Sequence, residues 1–408
     1  MGETITAVPL RRNRDFHLIW VGGTLAGLGS RMAALALPLL VLQQTGSTAK
    51  AGLVGSISAA TLLIAIIPAG AVADAVERHR LMRYCELAGS LIAAALAATV
   101  LAGSPAMPAV VITSVAVAIL GSLYAPAAIG LLRAAVPADQ LGLAMSRLQA
   151  RNAATQIAGP LAGGALFGVA PALPFAVQAG AMFVSFGCLL TIRTRSRPAP
   201  DATRLTPRQI TAGFRFLWQQ RYLRTILIVY GAGMNATFSA LMLVTITASA
   251  HADPSGRSSG LIVALASIGS LAGALAAPRL RSADAPHTVL TLTSWCIGAA
   301  TLLFVVVTQP LAQGLLLAVV LFLSGVANVA FETEQARLTP TDLAGRVEAA
   351  AIFISMIAQP LGPLGGGLLA EAYGPATAFL VIGALIAIVA GFLTLSFRRI
   401  NSDTTGRQ

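Results

Sequence analysis

Hydrophobic residues in this chain do not alternate with polar ones at the period of a half-buried strand or a surface helix; they run on. Apolar stretches close to or above 20 residues, the length that crosses a bilayer at 1.5 Å per helical residue, occupy 16–42, 49–73, 81–102, 106–132, 141–169 and 173–192. After a basic stretch at 193–221 the pattern resumes at 223–250, 260–277, 288–307, 311–336, 343–370 and 377–396. Twelve spans are predicted, six on each side of the linker. The expected fold class is an all-α membrane protein of two pseudo-symmetric six-helix bundles, with an N-terminal bundle at 1–192, a cytoplasmic linker at 193–221 and a C-terminal bundle at 222–408.

The two halves repeat in sequence as well as in hydropathy. Pro137-Ala138-Asp139 ahead of the fifth span recurs as Pro340-Thr341-Asp342 ahead of the eleventh, a shift of 203 residues. At that shift Gly142 falls on Gly345, Gln156 on Gln359, Gly159-Pro160 on Gly362-Pro363, and Gly163-Gly164 on Gly366-Gly367. A duplicated six-helix unit is the arrangement of transporters that rock around a central site.

Charge sets the orientation. Of 27 basic residues only Lys50 is a lysine, and 22 arginines fall in the termini, the linker and alternate loops, against Lys50 and Arg257 in the opposite loops. The positive-inside bias puts both termini and the linker in the cytoplasm. The net charge of +12 would suit nucleic acid only if it were gathered on one exposed face, and here it lies between apolar spans, so no nucleic-acid partner is expected. Arg11, Arg12 and Arg14 before an apolar stretch have the layout of a signal peptide. That stretch runs to Leu42, past the roughly 7 to 15 residues of a cleavable core, and is expected to stay as the first helix. Only 10% of residues are charged, and the arginine-rich usage suggests a bacterial chain, hence a multi-pass protein of the inner membrane. Cys85, Cys188 and Cys296 lie in separate spans and are expected to be plain apolar thiols. The four histidines are scattered at interfaces, with no metal spacing, nucleophile elbow or phosphate loop, so neither an enzyme nor a cofactor is expected.

Polar residues inside spans mark a pathway or a helix contact, because lipid cannot satisfy them. At 100° per residue, Met145, Gln149, Asn152, Gln156, Gly159 and Gly163 share one face of the fifth span, flanked by Arg151. Ser324, Asn328 and Glu332 make a second stripe in the tenth, and Asn235 and Tyr230 are weaker candidates in the seventh. Arg31 and Arg151 fall close to mid-membrane, whereas Glu86, Glu332, Glu334 and Glu348 read as nearer the cytoplasmic end. The expectation is an unbalanced positive charge at the midplane, suited to cargo with an anionic or strongly accepting group, held by Arg151 and Arg31 and oriented by Asn152 and Gln156.

Three segments carry a resemblance. The loop from Gly70 through Asp74 to Arg78, the element Gly159-Pro160-Leu161-Ala162-Gly163-Gly164, and the run from Pro340 to Val347 resemble the major facilitator superfamily, in its drug-efflux branch with siderophore exporters and macrolide efflux pumps. The loop is a partial match, with Ala75 where the family has arginine and Glu77 where it has glycine. The resemblance implies that Asp74 and Arg78 latch the cytoplasmic side, and that the fifth-span glycine-proline element belongs to an exporter of the antiporter type. In chemical terms proline bends a helix and glycines let backbones approach, which makes Gly159, Pro160, Gly362 and Pro363 conformational residues. The branch commonly has a Gly-Asp pair in the first span, where this chain has Gly29-Ser30, so the acid most readily named for proton coupling is missing. Glu332 is the first substitute and Glu86 the second.

The expected function is a secondary transporter exporting a small amphipathic compound by alternating access, through proton antiport. The alternative is a metabolite importer or facilitator of the same fold. Substrate-binding candidates are Arg31, Arg151, Asn152, Gln156, Asn235 and Asn328. The expected partners are the small-molecule substrate, membrane lipid and the proton, and the protein is expected to act as a monomer.

Overall fold

The computed structural model describes residues 9–103, 107–194, 207–280, 286–340 and 343–405, without the side chains of 67, 74, 207–211 and 399–405. Helices α1 (Arg14–Thr45), α2 (Thr48–Ala75), α3 (Arg78–Leu101), α4 (Met107–Ala135), α5 (Leu141–Val169) and α6 (Leu173–Leu190) follow the six predicted spans of the first half. A shorter α7 (Pro207–Gln219) lies within the linker. Then α8 (Arg221–Thr225) passes through a π-helical turn (Ile226–Ala232) into α9 (Gly233–Ala252), followed by α10 (Arg257–Leu280), α11 (Pro286–Leu303), α12 (Pro310–Leu338), α13 (Ala344–Met356) and α14 (Leu361–Thr405).

Among the described residues nine helices are long and apolar enough to cross a membrane. α5 and α11 fall outside that set: α5 carries Arg147, Gln149, Arg151, Asn152 and Gln156, and α11 spends part of its 18 residues on Pro286, His287, four threonines, Ser294 and Trp295. α14 runs two spans together across Gly374, whose φ of 83° and ψ of 162° are open only to glycine. With these resolved, each of the twelve predicted spans has its helix. Two details were not predicted. The linker holds an amphipathic helix, and the eleventh span is interrupted at residues 357–360, between α13 and α14.

By internal contact the chain divides into two units, Met1–Ala36 with Ile64–Arg204, and Leu37–Leu63 with Leu205–Gln408. In the first, α3 packs on α4 and α6, around Ile19, Met82, Cys85, Leu131 and Leu189. The end of this unit that holds the start of α1 is pinned by polar side chains. Asn13 caps α1 by accepting from Phe16 N at 3.0 Å while its Nδ2 donates to Ala135 O at 2.7 Å. Asp15 accepts from Thr194 N at 2.8 Å and Thr194 Oγ1 at 2.5 Å, tying the start of α1 to the chain leaving α6. A glycine seam joins α1 to α5. A Cβ on Gly159 would collide with Arg31 Cβ, and one on Gly163 would lie 2.8 Å from Met32 Cα. The glycines of the Gly-Pro element therefore serve first to bring these two backbones together, where lipid supplies no hydrophobic drive and close packing must hold helices instead.

The second unit repeats that device. A Cβ on Gly362 would collide with Ala236 O, and one on Gly366 would sit 3.1 Å from Ala240 Cβ, so α14 rides on α9 as α5 rides on α1. α10 crosses α12 through Gly269 and Gly273, whose missing side chains leave room for the backbone of Ala318 and Phe322. The main core gathers Leu241, Val244, Ile297, Leu317, Phe379 and Ile386, with Phe304 and Phe379 rings 5.1 Å apart. A separate cluster of Leu217, Leu223, Leu227, Val347, Ala350 and Ala351 fastens α7 and α8 to α13. In the same unit Glu371 of α14 accepts from Ser47 Oγ at 2.6 Å and Ala49 N at 2.8 Å, capping the start of α2.

Candidate functional site

The first unit holds a partly open cavity of about 260 Å³ between α1, α3, α4, α5 and α6. Space for it comes from small residues of α1: Gly23 and Gly27 line it, and a Cβ on Gly23 would collide with the Arg151 guanidinium. Glu86 lines one wall and is only 1% exposed. Its Oε1 accepts from Ser185 Oγ of α6 at 2.9 Å, while Oε2 has no hydrogen-bond partner among the described residues. Tyr124 of α4 interacts electrostatically with both Glu86 and Arg151 and is a hydrogen-bonding neighbour of the Glu86 carboxylate. On the far wall Arg151 Nη2 donates to Asn152 Oδ1 at 3.0 Å, and Asn152 Nδ2 donates to Gln149 Oε1 at 3.4 Å. Arg31 also lines the cavity, its stem against Gly159.

This geometry corrects the expectation of a midplane with positive charge alone. Helix α3 starts at Arg78, three residues before its apolar run, so Glu86 is eight residues into the helix and Arg151 ten residues into α5. Acid and base line one cavity, so cargo carrying an anionic or strongly accepting group would not meet positive charge alone there.

A cavity walled by a buried carboxylate, a tyrosine and two arginines, inside a helical bundle with a duplicated glycine-proline seam, is the frame in which sequence kinship can be read. The Major Facilitator Superfamily profile matches residues 19–358, which takes in all the cavity's helices and most of the second unit. The chain belongs to the major facilitator superfamily. It is a multi-pass membrane transporter of a small-molecule substrate, not an enzyme. This facilitator is 29% identical over 394 residues to the multidrug efflux pump Tap of Mycolicibacterium fortuitum, covering 92% of this chain and 95% of that one. It is 26% identical over 413 residues to the multidrug resistance protein MdtG of Salmonella arizonae, covering 96% and 97%. Two solved structures share its fold: the nucleoside transporter NupG, with a TM-score of 0.73 at 14% identity over 94% of this chain and 99% of that one, and a bacterial homolog of the human lysosomal transporter Spinster, inward-facing and occupied, with a TM-score of 0.72 at 16% identity over 96% and 98%.

Of the sequence-derived candidates, the facilitator brings Arg31, Arg151, Asn152 and Glu86 together around one cavity. Gln156 is exposed on α5 outside its lining, and so are Asn328 and Glu332 on α12, although Ser324 of the same stripe is buried. Asn235 turns onto its own helix, with Nδ2 donating to Gly231 O at 2.8 Å. The side chain of Asp74 lies outside the described residues, as do Thr341 and Asp342. Arg78 begins α3 and lies against Gly130 of α4. Glu77, at the position where the family has glycine, pairs with Arg80 at 2.7 Å. Arg147, the third arginine within a span, sits near the rim with its guanidinium 5.9 Å above the Phe16 ring.

Sequence reasoning missed Tyr124 and Ser185. The signal for Tyr124 was present, the single phenol of the fourth span, two residues before Pro126. Ser185 gave none, since a lone serine in a span can bond to its own helix.

Proposed function

We propose that this facilitator exports a small amphipathic compound, such as a drug, siderophore or other natural product, by alternating access in exchange for protons. The observation that carries the reading is Glu86: a carboxylate 1% exposed, on the wall of a cavity, with one oxygen unpartnered. Leaving such a group ionised and half-satisfied is costly, and a proton or a cargo donor relieves it. A side chain able to alternate between the two links the proton gradient to cargo movement. Export, rather than import, is supported by the two relatives named above, which are both efflux proteins. Glu332, the first candidate from sequence, becomes the second because it is exposed on α12.

In this reading two six-helix bundles, 1–192 and 222–408, alternate as a monomer about the 193–221 linker, with both termini in the cytoplasm of a bacterial inner membrane. The 22 arginines on one side support that orientation. Asp74 and Arg78 latch the cytoplasmic side, and Gly159, Pro160, Gly362 and Pro363 form smooth kinked seams that slide as the bundles move. Arg31, Arg151 and Asn152 contact the cargo, with Gln156, Asn235 and Asn328 reserved for a state in which they face it.

The test is uptake of the dye Hoechst 33342 into everted vesicles under an imposed pH gradient, acidic inside. Wild-type protein should accumulate dye, and Glu86→Gln should abolish accumulation while sparing downhill exchange. Full gradient-driven uptake by Glu86→Gln would move the coupling site elsewhere, with Glu332→Gln the next variant. Gradient-driven loss of dye from the vesicles would instead support the import alternative.

A further inference from the structure

The walls of the first unit's cavity carry opposite chemistry. On the side of α3, α4 and α6 stand Glu86, with Oε2 unpartnered, and the Tyr124 hydroxyl. On the side of α1 and α5 stand Arg151 and Arg31, with Asn152 occupying only part of the Arg151 fork. No ion pair within 4 Å joins Glu86 to either arginine among the described residues, so the charges are held apart across the space instead of cancelling.

A purely anionic ligand would answer Arg151 and leave Glu86 worse off than before. A purely cationic one would answer Glu86 and meet two guanidiniums. A molecule carrying both an ammonium and a carboxylate satisfies each wall with the partner it lacks, through charge-assisted hydrogen bonds. The size agrees: about 260 Å³ lies just under the roughly 300 to 1,000 Å³ of drug-sized sites, enough for a small amphoteric molecule or the polar head of a larger one. The rest of the lining, including Val117, Leu120 and Met182, is apolar and suits an aromatic or aliphatic body.

We propose that the cavity between α1, α3, α4, α5 and α6 selects amphoteric cargo, seating its ammonium or N–H donor on Glu86 Oε2 and its carboxylate or other acceptor on Arg151. This rests on the reading of that cavity as the cargo site.

The experiment uses the full chain in lipid nanodiscs and three matched probes at pH 7: L-tryptophan, which carries both charges, N-acetyl-L-tryptophan, which keeps only the carboxylate, and L-tryptophan methyl ester, which keeps only the ammonium. Calorimetric titration should find tryptophan tighter than either derivative by about tenfold or more, the scale of one charged hydrogen bond. Glu86→Gln should erase its advantage over the N-acetyl compound, and Arg151→Gln its advantage over the ester. Equal binding of all three, a preference for either single-charge probe, or no binding of any would overturn the proposal. Dye uptake under a pH gradient is measured on the same variants. Retained export with no preference for tryptophan sinks this inference alone, whereas preference for tryptophan without gradient-driven transport sinks the export reading and leaves the cavity's chemistry standing.

Discussion

The Ser185 hydroxyl of α6 donates to Oε1 of Glu86 on α3 at 2.9 Å, and the other carboxylate oxygen has no such bond among the described residues. This bond and the neighbouring Tyr124 together orient the buried carboxylate. The bond also ties two helices of the first unit at the level of the cavity.

Ser185→Ala removes that donor and leaves the Glu86 carboxylate one hydrogen bond poorer, with Tyr124 still beside it. The expected cost is about 1 to 3 kcal/mol, the penalty of an unsatisfied buried acceptor, seen as a lower Tm in detergent. Glu86→Gln keeps an acceptor for Ser185 and carries no charge, so its Tm should stay at or above wild type although transport is lost. A fall in the Tm of Glu86→Gln as large as that of Ser185→Ala would make Glu86 a structural group.

The α1–α5 seam should tolerate no side chain. In Gly163→Ala the new Cβ would lie 2.8 Å from both Cα and O of Met32, backbone atoms that cannot swing aside. Overpacking of this kind costs about 1 to 3 kcal/mol. Gly187→Ala on α6 meets nothing within 4 Å and should gain up to about 1 kcal/mol from its lower backbone entropy. Thermal unfolding of the two variants side by side checks the sign of each.

Orientation can be read chemically. With Cys85, Cys188 and Cys296 replaced by serine, a cysteine at Lys50 should react with an impermeant thiol reagent added to intact cells, and one at Arg80 should react only after the cells are opened. The reverse pattern would overturn the cytoplasmic placement of the termini.

The loop between α9 and α10 has its own acid response. Hydrogen bonds from Ser255 and Ser258 hold Asp253 down from its ordinary 3.8 to about 2, with Ser258 Oγ at 2.7 Å and Ser255 N at 3.0 Å. A depressed carboxylate contributes stability that is fully present above its unfolded pKa and is lost as pH falls through the folded one. Asp253→Asn should therefore lower Tm at pH 7, and the gap from wild type should close between about pH 4 and pH 2. A gap that persists at pH 2 would mean that the loop depends on shape and not on charge.

The spans, their number and the duplication were legible in the sequence because lipid imposes one rule everywhere: backbone polar groups must be satisfied within the helix, and about 20 apolar residues are needed to cross. Gly159, Pro160, Gly362 and Pro363 could be singled out because a repeat at a fixed shift exposes them without any knowledge of neighbours. Arg31, Arg151 and Glu86 stood out one by one as expensive groups in an apolar medium. What hydropathy could not report was their company. A sliding apolar window starts α3 at Leu81, while the helix itself starts at Arg78, and Glu86 lines the same cavity as Arg151. Rotation about each helix axis then decides the rest. Glu332, the stronger candidate by its stripe, is exposed on α12, and Glu86 turns inward to meet Ser185 and Tyr124. Apolar length is a one-dimensional property that a sequence holds; helix ends, azimuth and partners depend on how several helices pack at once, and only the tertiary structure contains them.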